Sequence, residues 1–173
     1  TYDDQLSLVH AGRFIHNSFD AILHVGGEIF SLSRFDAHQN YIGANHNTSC
    51  AAGTGSFLDQ QARRLSLEGG SKQLSLLALE NKSELPQIAT RCSVFAKTDL
   101  IHAQQEGFSI EQICDGLCYG LAKNLANTLF KKSDIGSQII FCGGVSSNPS
   151  VVEHLEQIVD KKFIIDNFAC SYG

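Results

Sequence analysis

The chain has 173 residues, 43% of them hydrophobic, and its 13 basic and 18 acidic side chains are scattered rather than blocked, for a formal net charge of -5. That length buries one good core, or two small ones sharing a sheet, and the charge pattern offers neither a nucleic-acid face nor a basic membrane patch. No apolar run approaches the ~20 residues of a membrane helix and no signal-peptide pattern opens the chain, so the expected setting is soluble and cytoplasmic.

From Asp3 or Asp4 to about His16, the positions Leu6, Val9, Ala11 and Phe14 predict an amphipathic helix. Asp20 to Val25 is a short apolar run, Gly26 and Gly27 punctuate it, and Glu28 to Phe35 alternates imperfectly. The pattern predicts two strands around a glycine turn, a β-hairpin. A third strand is expected within His38–Asn45, centred on Tyr41 and Ile42.

A distinctive stretch follows, Asn47-Thr48-Ser49-Cys50-Ala51-Ala52-Gly53-Thr54-Gly55-Ser56-Phe57-Leu58-Asp59. Its glycines permit φ > 0 and the close approach of a backbone or an anion. Ser56 is a candidate cap for a helix to Leu65, whose N-terminus carries unpaired N–H groups and a positive dipole end. The loop therefore suits a thiolate ligand at Cys50 and a phosphate cradle over Gly53, Thr54 and Gly55. A plain glycine turn beside a buried cysteine is the commoner reading of these residues alone.

Lys72 to Glu80 predicts a short helix with Leu74, Leu77 and Ala78 inward. Glu84-Leu85-Pro86 breaks the pattern, and Ile88 to Phe95 reads as loop and short strand carrying Cys92. Thr98 caps a helix to Gln105. The cleanest helix starts at Ser109, with Gln112 at the capping-box position. It runs to about Lys131 on a stripe of Ile110, Ile113, Cys114, Leu117, Leu121, Leu125 and Leu129. Gln138 to Cys142 is a buried-type strand leading into Gly143-Gly144, and Ser147 or Asn148 caps a helix with Pro149 in its first turn. Lys161 to Ile165 closes as a strand.

The six cysteines are widely spaced, which favours reduced thiols over a disulfide set. Cys114 and Cys118 fall on a core stripe and Cys142 in a buried strand, so these three are expected to be packing residues. Because the chain begins at Thr1 and contains no Met, residues 1–173 are expected to be one domain excised from a longer protein.

Three segments taken together carry a family resemblance: Cys50-Ala51-Ala52-Gly53-Thr54-Gly55, then Ala89-Thr90-Arg91-Cys92-Ser93-Val94-Phe95-Ala96-Lys97, then Cys142-Gly143-Gly144-Val145-Ser146-Ser147-Asn148. From about Asp20 onward the chain resembles the BadF/BadG/BcrA/BcrD-type ATPases, the activators of 2-hydroxyacyl-CoA dehydratases and benzoyl-CoA reductases. The resemblance implies an α/β fold, the second half of an actin-like (ribonuclease H-like) ATPase: a mixed sheet opened by a β-hairpin and flanked by helices. It also implies that the first phosphate loop of that superfamily is missing here.

On the same resemblance, Gly26 and Gly27 form the second phosphate loop, and Gly143 and Gly144, with Asn148, lie against the adenosine of ATP or ADP with Mg. The family hairpin typically reads Asp-Ile-Gly-Gly-Gln-Asp. Here His24 stands at the first Asp, Glu28 replaces Gln and Ile29 the second Asp, which leaves Glu28 as the candidate catalytic carboxylate. Cys50 and Cys92 are implied as ligands of a 4Fe-4S cluster. Such clusters commonly need four thiolates, so a homodimer or a second activase domain would supply the other two. The implied partner is a 2-hydroxyacyl-CoA dehydratase or acyl-CoA reductase-like enzyme. The alternative is a degenerate actin-like domain serving dimerisation or docking.

Overall fold

A computed structural model describes residues 4–46, 54–88, 93–130 and 135–171. Its five-stranded sheet has the order β3-β2-β1-β4-β5. β1 (Ala21–Val25), β2 (Phe30–Phe35) and β3 (Tyr41–His46) form an antiparallel meander, while β4 (Ile139–Cys142) and β5 (Phe163–Ile164) add in parallel beside β1. The sheet is mixed, and the hairpin opens it as expected.

Side-chain alternation along the strands divides the core. Ala21, Leu23, Val25, Phe30, Leu32, Ile139 and Phe141 face the larger cluster, filled by α2 (Gly55–Arg64), α3 (Gly70–Glu80), α4 (Ser93–Gln105), α5 (Ile110–Leu125) and α6 (Pro149–Val159). Ile22, Phe35, Ile140 and Cys142 face a smaller cluster closed by Leu8 of α1 (Asp4–Ile15), Phe19 and Ala169.

Several expectations hold in detail. Ser109 and Gln112 form a complete capping box at the start of α5, satisfying donors that a helix start leaves open. Asn148 caps α6 by accepting from the Val151 N–H at 3.0 Å, with Pro149 at the first position. Cys114, Cys118 and Cys142 are buried, and burial pushes each thiol up to about 12. They pack the interior rather than react.

Four expectations are corrected. Phe14 is 92% exposed; the sheet-facing stripe of α1 runs instead through Leu8, Ala11 and Gly12, and Gly12 lets the helix approach the side chains of Ile22 and Phe19. No strand occupies Ser93–Phe95, because Ala96, Leu100 and Ala103 make a helical stripe that draws α4 back to Ser93. Phe95, at the edge of that stripe, is left exposed. The N-cap position of α2 is held by Thr54, not Ser56, and its side chain makes no capping hydrogen bond. Finally, α-helical geometry ends at Leu125 and Ala126–Phe130 continues as a π-helical turn, the Leu129 carbonyl accepting from Asn45 Nδ2 at 2.7 Å.

A candidate nucleotide cleft between two glycine turns

One cleft of about 620 Å³ draws its walls from four separate parts of the chain. Gly26 and Gly27 come from the β1–β2 turn, Gly55, Leu58 and Asp59 from α2, Ser71, Lys72, Ser75 and Leu76 from α3, and Gly144, Val145 and Ser147–Pro149 from the β4–α6 connection. Of the residues singled out from sequence, Gly26, Gly27, Gly55, Gly144 and Asn148 therefore meet in one place. Thr54 is fully buried and Gly143 sits behind the wall; neither lines the cleft. Glu28 is exposed and also lies outside the lining. Cys50, Cys92 and Gly53 fall outside the described residues.

The hairpin turn is held by α2. The Gly55 N–H donates to the Gly26 carbonyl at 2.8 Å and the Ser56 N–H to the Gly27 carbonyl at 3.0 Å, while Phe57 N–H donates to Thr54 at 3.1 Å. The Gly55 amide, one of those expected from sequence to cradle a phosphate at this helix end, is thus engaged in fixing the turn, while Gly53 lies outside the described residues.

The glycines of the two turns beside the cleft are not all glycine for steric reasons. Gly143 must be: its φ is 90°, and an added Cβ would stand 2.4 Å from the Val25 carbonyl oxygen. Among the described residues, a Cβ on Gly27 or Gly144 would meet no atom within 4 Å, and neither residue has a positive φ. Nothing in the packing of the described residues demands glycine at these two positions, and both border the cleft. His24 places its imidazole beneath, close enough that a Cβ on Gly26 would come within 3.3 Å of its ring and one on Gly143 within 3.0 Å.

The opposite wall is stiffened by hydrogen bonds. Asn148 Oδ1 accepts from Ser75 Oγ at 2.8 Å, tying α3 to the cap of α6, and the amide also touches Cys118 Sγ at 3.9 Å. Just past the end of α3, Asn81 joins Ser150 and His154 of α6 in converging on Asp115 of α5, the His154 contact being 2.6 Å. Burial works to raise the Asp115 pKa, but the hydrogen bonds from His154, Asn81 and Ser150 outweigh it and hold the carboxyl below its usual range.

Asp59, Ser71, Lys72 and Ser75 escape sequence reasoning because α2 and α3 each look like ordinary amphipathic helices. The available signal is the short connection between them, with Ser66 and Gly70 at positive φ, which folds the two helices back side by side so that both line the cleft. Among the described residues no group of three or more His, Cys, Asp or Glu side chains is placed to hold a metal ion, and no helix is long and apolar enough to cross a membrane.

Comparison with known proteins matches residues 11–167 to the model of the BadF/BadG/BcrA/BcrD ATPase family. A 2-hydroxyisocaproyl-CoA dehydratase activator from Clostridioides difficile is 26% identical over 153 residues, covering 88% of this chain and 56% of the relative. The (R)-2-hydroxyglutaryl-CoA dehydratase activating ATPase of Acidaminococcus fermentans is 28% identical over 145 residues, 83% of this chain and 54% of its own length. The solved activator of the 2-hydroxyisocaproyl-CoA dehydratase from Clostridium difficile, with bound ADPNP, superposes with a TM-score of 0.88 at 23% identity, covering 97% of this chain and 61% of that one. This chain spans little more than half the length of these curated relatives, and its fold is that of the actin-like ATPases.

Proposed function

The chain belongs to the BadF/BadG/BcrA/BcrD ATPase family, and from that premise we propose that it is the nucleotide-facing part of an ATP-dependent activator that delivers electrons to a 2-hydroxyacyl-CoA dehydratase or acyl-CoA reductase-like enzyme. The observation that carries the reading is the pair Gly27 and Gly144. Both line the cleft, and neither packing among the described residues nor backbone strain requires glycine at either position. Glycine there leaves room for something outside the chain to lie against the backbone. The cleft is large enough for a nucleotide, with apolar walls at Leu58, Leu76 and Val145 for a base and a cation at Lys72.

Cys50 and Cys92 are the residues that would hold a 4Fe-4S cluster, with the same two cysteines of a second copy or a second activase domain completing four thiolates. When bound, that group supplies one-electron transfer. The chain's own part is to bind nucleotide between the hairpin and α3, and to pass the difference between ATP and ADP to the segments carrying the cysteines. α2 is suited to that, since its first amides grip the hairpin turn and Cys50 lies four residues before Thr54.

The test uses the intact protein. ADP titration should show saturable binding, and anaerobic addition of iron and sulfide should give a brown protein with one cluster per two chains, lost in Cys50→Ala and in Cys92→Ala. A colourless protein that binds ADP would remove the redox half of the proposal, and absence of ADP binding would remove the nucleotide half.

A second reading, a non-catalytic domain used for dimerisation or docking, draws on the hairpin. Ile29 is 57% exposed and Glu28 lies outside the cleft lining, so the turn itself brings no carboxylate to it. Measuring ATP hydrolysis by the parent protein and by His24→Asp separates the two. A silent parent activated by His24→Asp marks a hairpin that has lost its chemistry.

A further inference from the structure

The proposed function leaves one chemical requirement unmet by the hairpin. A nucleotide triphosphate reacts as its complex with a divalent cation, and Mg²⁺ is usually held by one or two protein carboxylates together with the phosphates and retained waters. At the β1–β2 turn His24 and Ile29 carry no carboxylate, and Glu28 is exposed outside the cleft.

One acidic side chain does line the cleft among the described residues, and it comes from a different element. Asp59 stands on α2, one helical turn beyond Gly55. Gly55 and Ser56 are bonded through their N–H groups to the carbonyls of Gly26 and Gly27. The carboxylate is therefore carried by a helix whose first residues grip the proposed phosphate turn. Asp59 is half-buried, and no hydrogen bond or ion pair within the described residues engages it, not even with Lys72, the cation that shares the cleft.

We propose that Asp59 is the carboxylate through which this cleft holds the divalent cation accompanying the nucleotide phosphates, supplied from α2 where the β1–β2 turn brings none. Hydroxyls at Ser71, Ser75 and Ser147 share the cleft with it, oxygen donors of the kind a hard cation takes. This inference rests on the nucleotide reading above and deepens it by naming the residue that makes binding metal-dependent.

The experiment is calorimetric titration of ADP into the intact protein, with Mg²⁺ and with chelator, for the parent, Asp59→Asn and Glu28→Gln. The parent should bind ADP more tightly with Mg²⁺. Asp59→Asn should shrink that metal-dependent gain by about tenfold while leaving chelated binding within about twofold, the loss of one charge-assisted contact. Glu28→Gln should keep the whole gain. The inference is overturned if Asp59→Asn keeps the gain, if it weakens binding equally with and without Mg²⁺ (a contact to the nucleoside), if Glu28→Gln abolishes the gain, or if the parent binds ADP indifferently to Mg²⁺. A parent that fails to bind ADP under either condition fails the nucleotide reading itself, which distinguishes the two.

Discussion

Two glycine turns border the cleft, and they differ in what glycine does there. At the β4–α6 turn, Gly143 serves the protein: its N–H donates to the Ala169 carbonyl at 2.8 Å, its φ is 90°, and the Val25 carbonyl fills the space a side chain would need. At the β1–β2 turn, Gly27 has open space around it and an ordinary backbone. Gly144, next to Gly143, behaves like Gly27. Glycine spacing alone cannot separate a packing glycine from an access glycine; the surrounding atoms do.

The sharpest way to break that distinction is Gly143→Ala. A Cβ would have to displace β1 backbone, and the left-handed φ adds strain of its own, so the variant should lose about 3 kcal/mol or more of stability. Urea unfolding with an unchanged m-value checks this. A loss under about 1 kcal/mol would mean that Gly143 is no more structural than its neighbour.

Next in size is the polar junction behind the α3 wall. Asp115→Asn keeps the shape but weakens charge-assisted bonds from His154, Asn81 and Ser150. It should cost about 1–2 kcal/mol near neutral pH, at the lower end for a group that keeps some contact with water. The Asp115 pKa is lowered on folding, so its contribution is present above the unfolded carboxylate value of about 4 and fades as pH falls through the folded one. Stability of the parent should therefore fall more steeply than that of Asp115→Asn as the solution is acidified below about pH 4. Parallel curves would deny Asp115 this role.

A smaller effect is expected nearer the cleft. Ser75→Ala removes one bond to Asn148, whose oxygen still accepts from the Val151 N–H. The loss should be about 1 kcal/mol, together with weaker ADP binding as the two walls lose their tie. Full ADP affinity in Ser75→Ala would show that the wall spacing is set elsewhere.

Much of this was legible in the residues. The hairpin, the β3 strand, the capped start of α5, the β4–α6 joint and the burial of Cys114, Cys118 and Cys142 all follow from local pattern, because capping, turn and stripe signals act over a few residues. What escaped were choices made between distant segments. Phe14 fits a helical stripe, but which stripe of α1 meets the sheet depends on Gly12 admitting Ile22 and Phe19. Ser93–Phe95 looks strand-like until Ala96, Leu100 and Ala103 are seen to face one core. The cleft was half legible: glycine turns announce themselves, whereas Asp59 and Lys72 sit on helices whose sequences say only that one face is polar. Glu28 was named from its position along the hairpin, and the turn leaves it outside.

The smallest expected change in stability is the most informative about function. Gly27→Ala and Gly144→Ala each add one methyl group into space that no atom of the described residues occupies, in backbone that any residue adopts. Stability should therefore stay within about 0.5 kcal/mol of the parent, or rise slightly as the unfolded chain loses freedom. ADP affinity should nonetheless fall by about tenfold in each, because the methyl group would occupy the surface against which the nucleotide lies. A variant as stable as the parent and weaker toward ADP separates the access glycines from Gly143, where stability and binding would fall together. If both variants keep stability and affinity alike, the cleft's glycines face only solvent, and the nucleotide reading loses the observation it stands on.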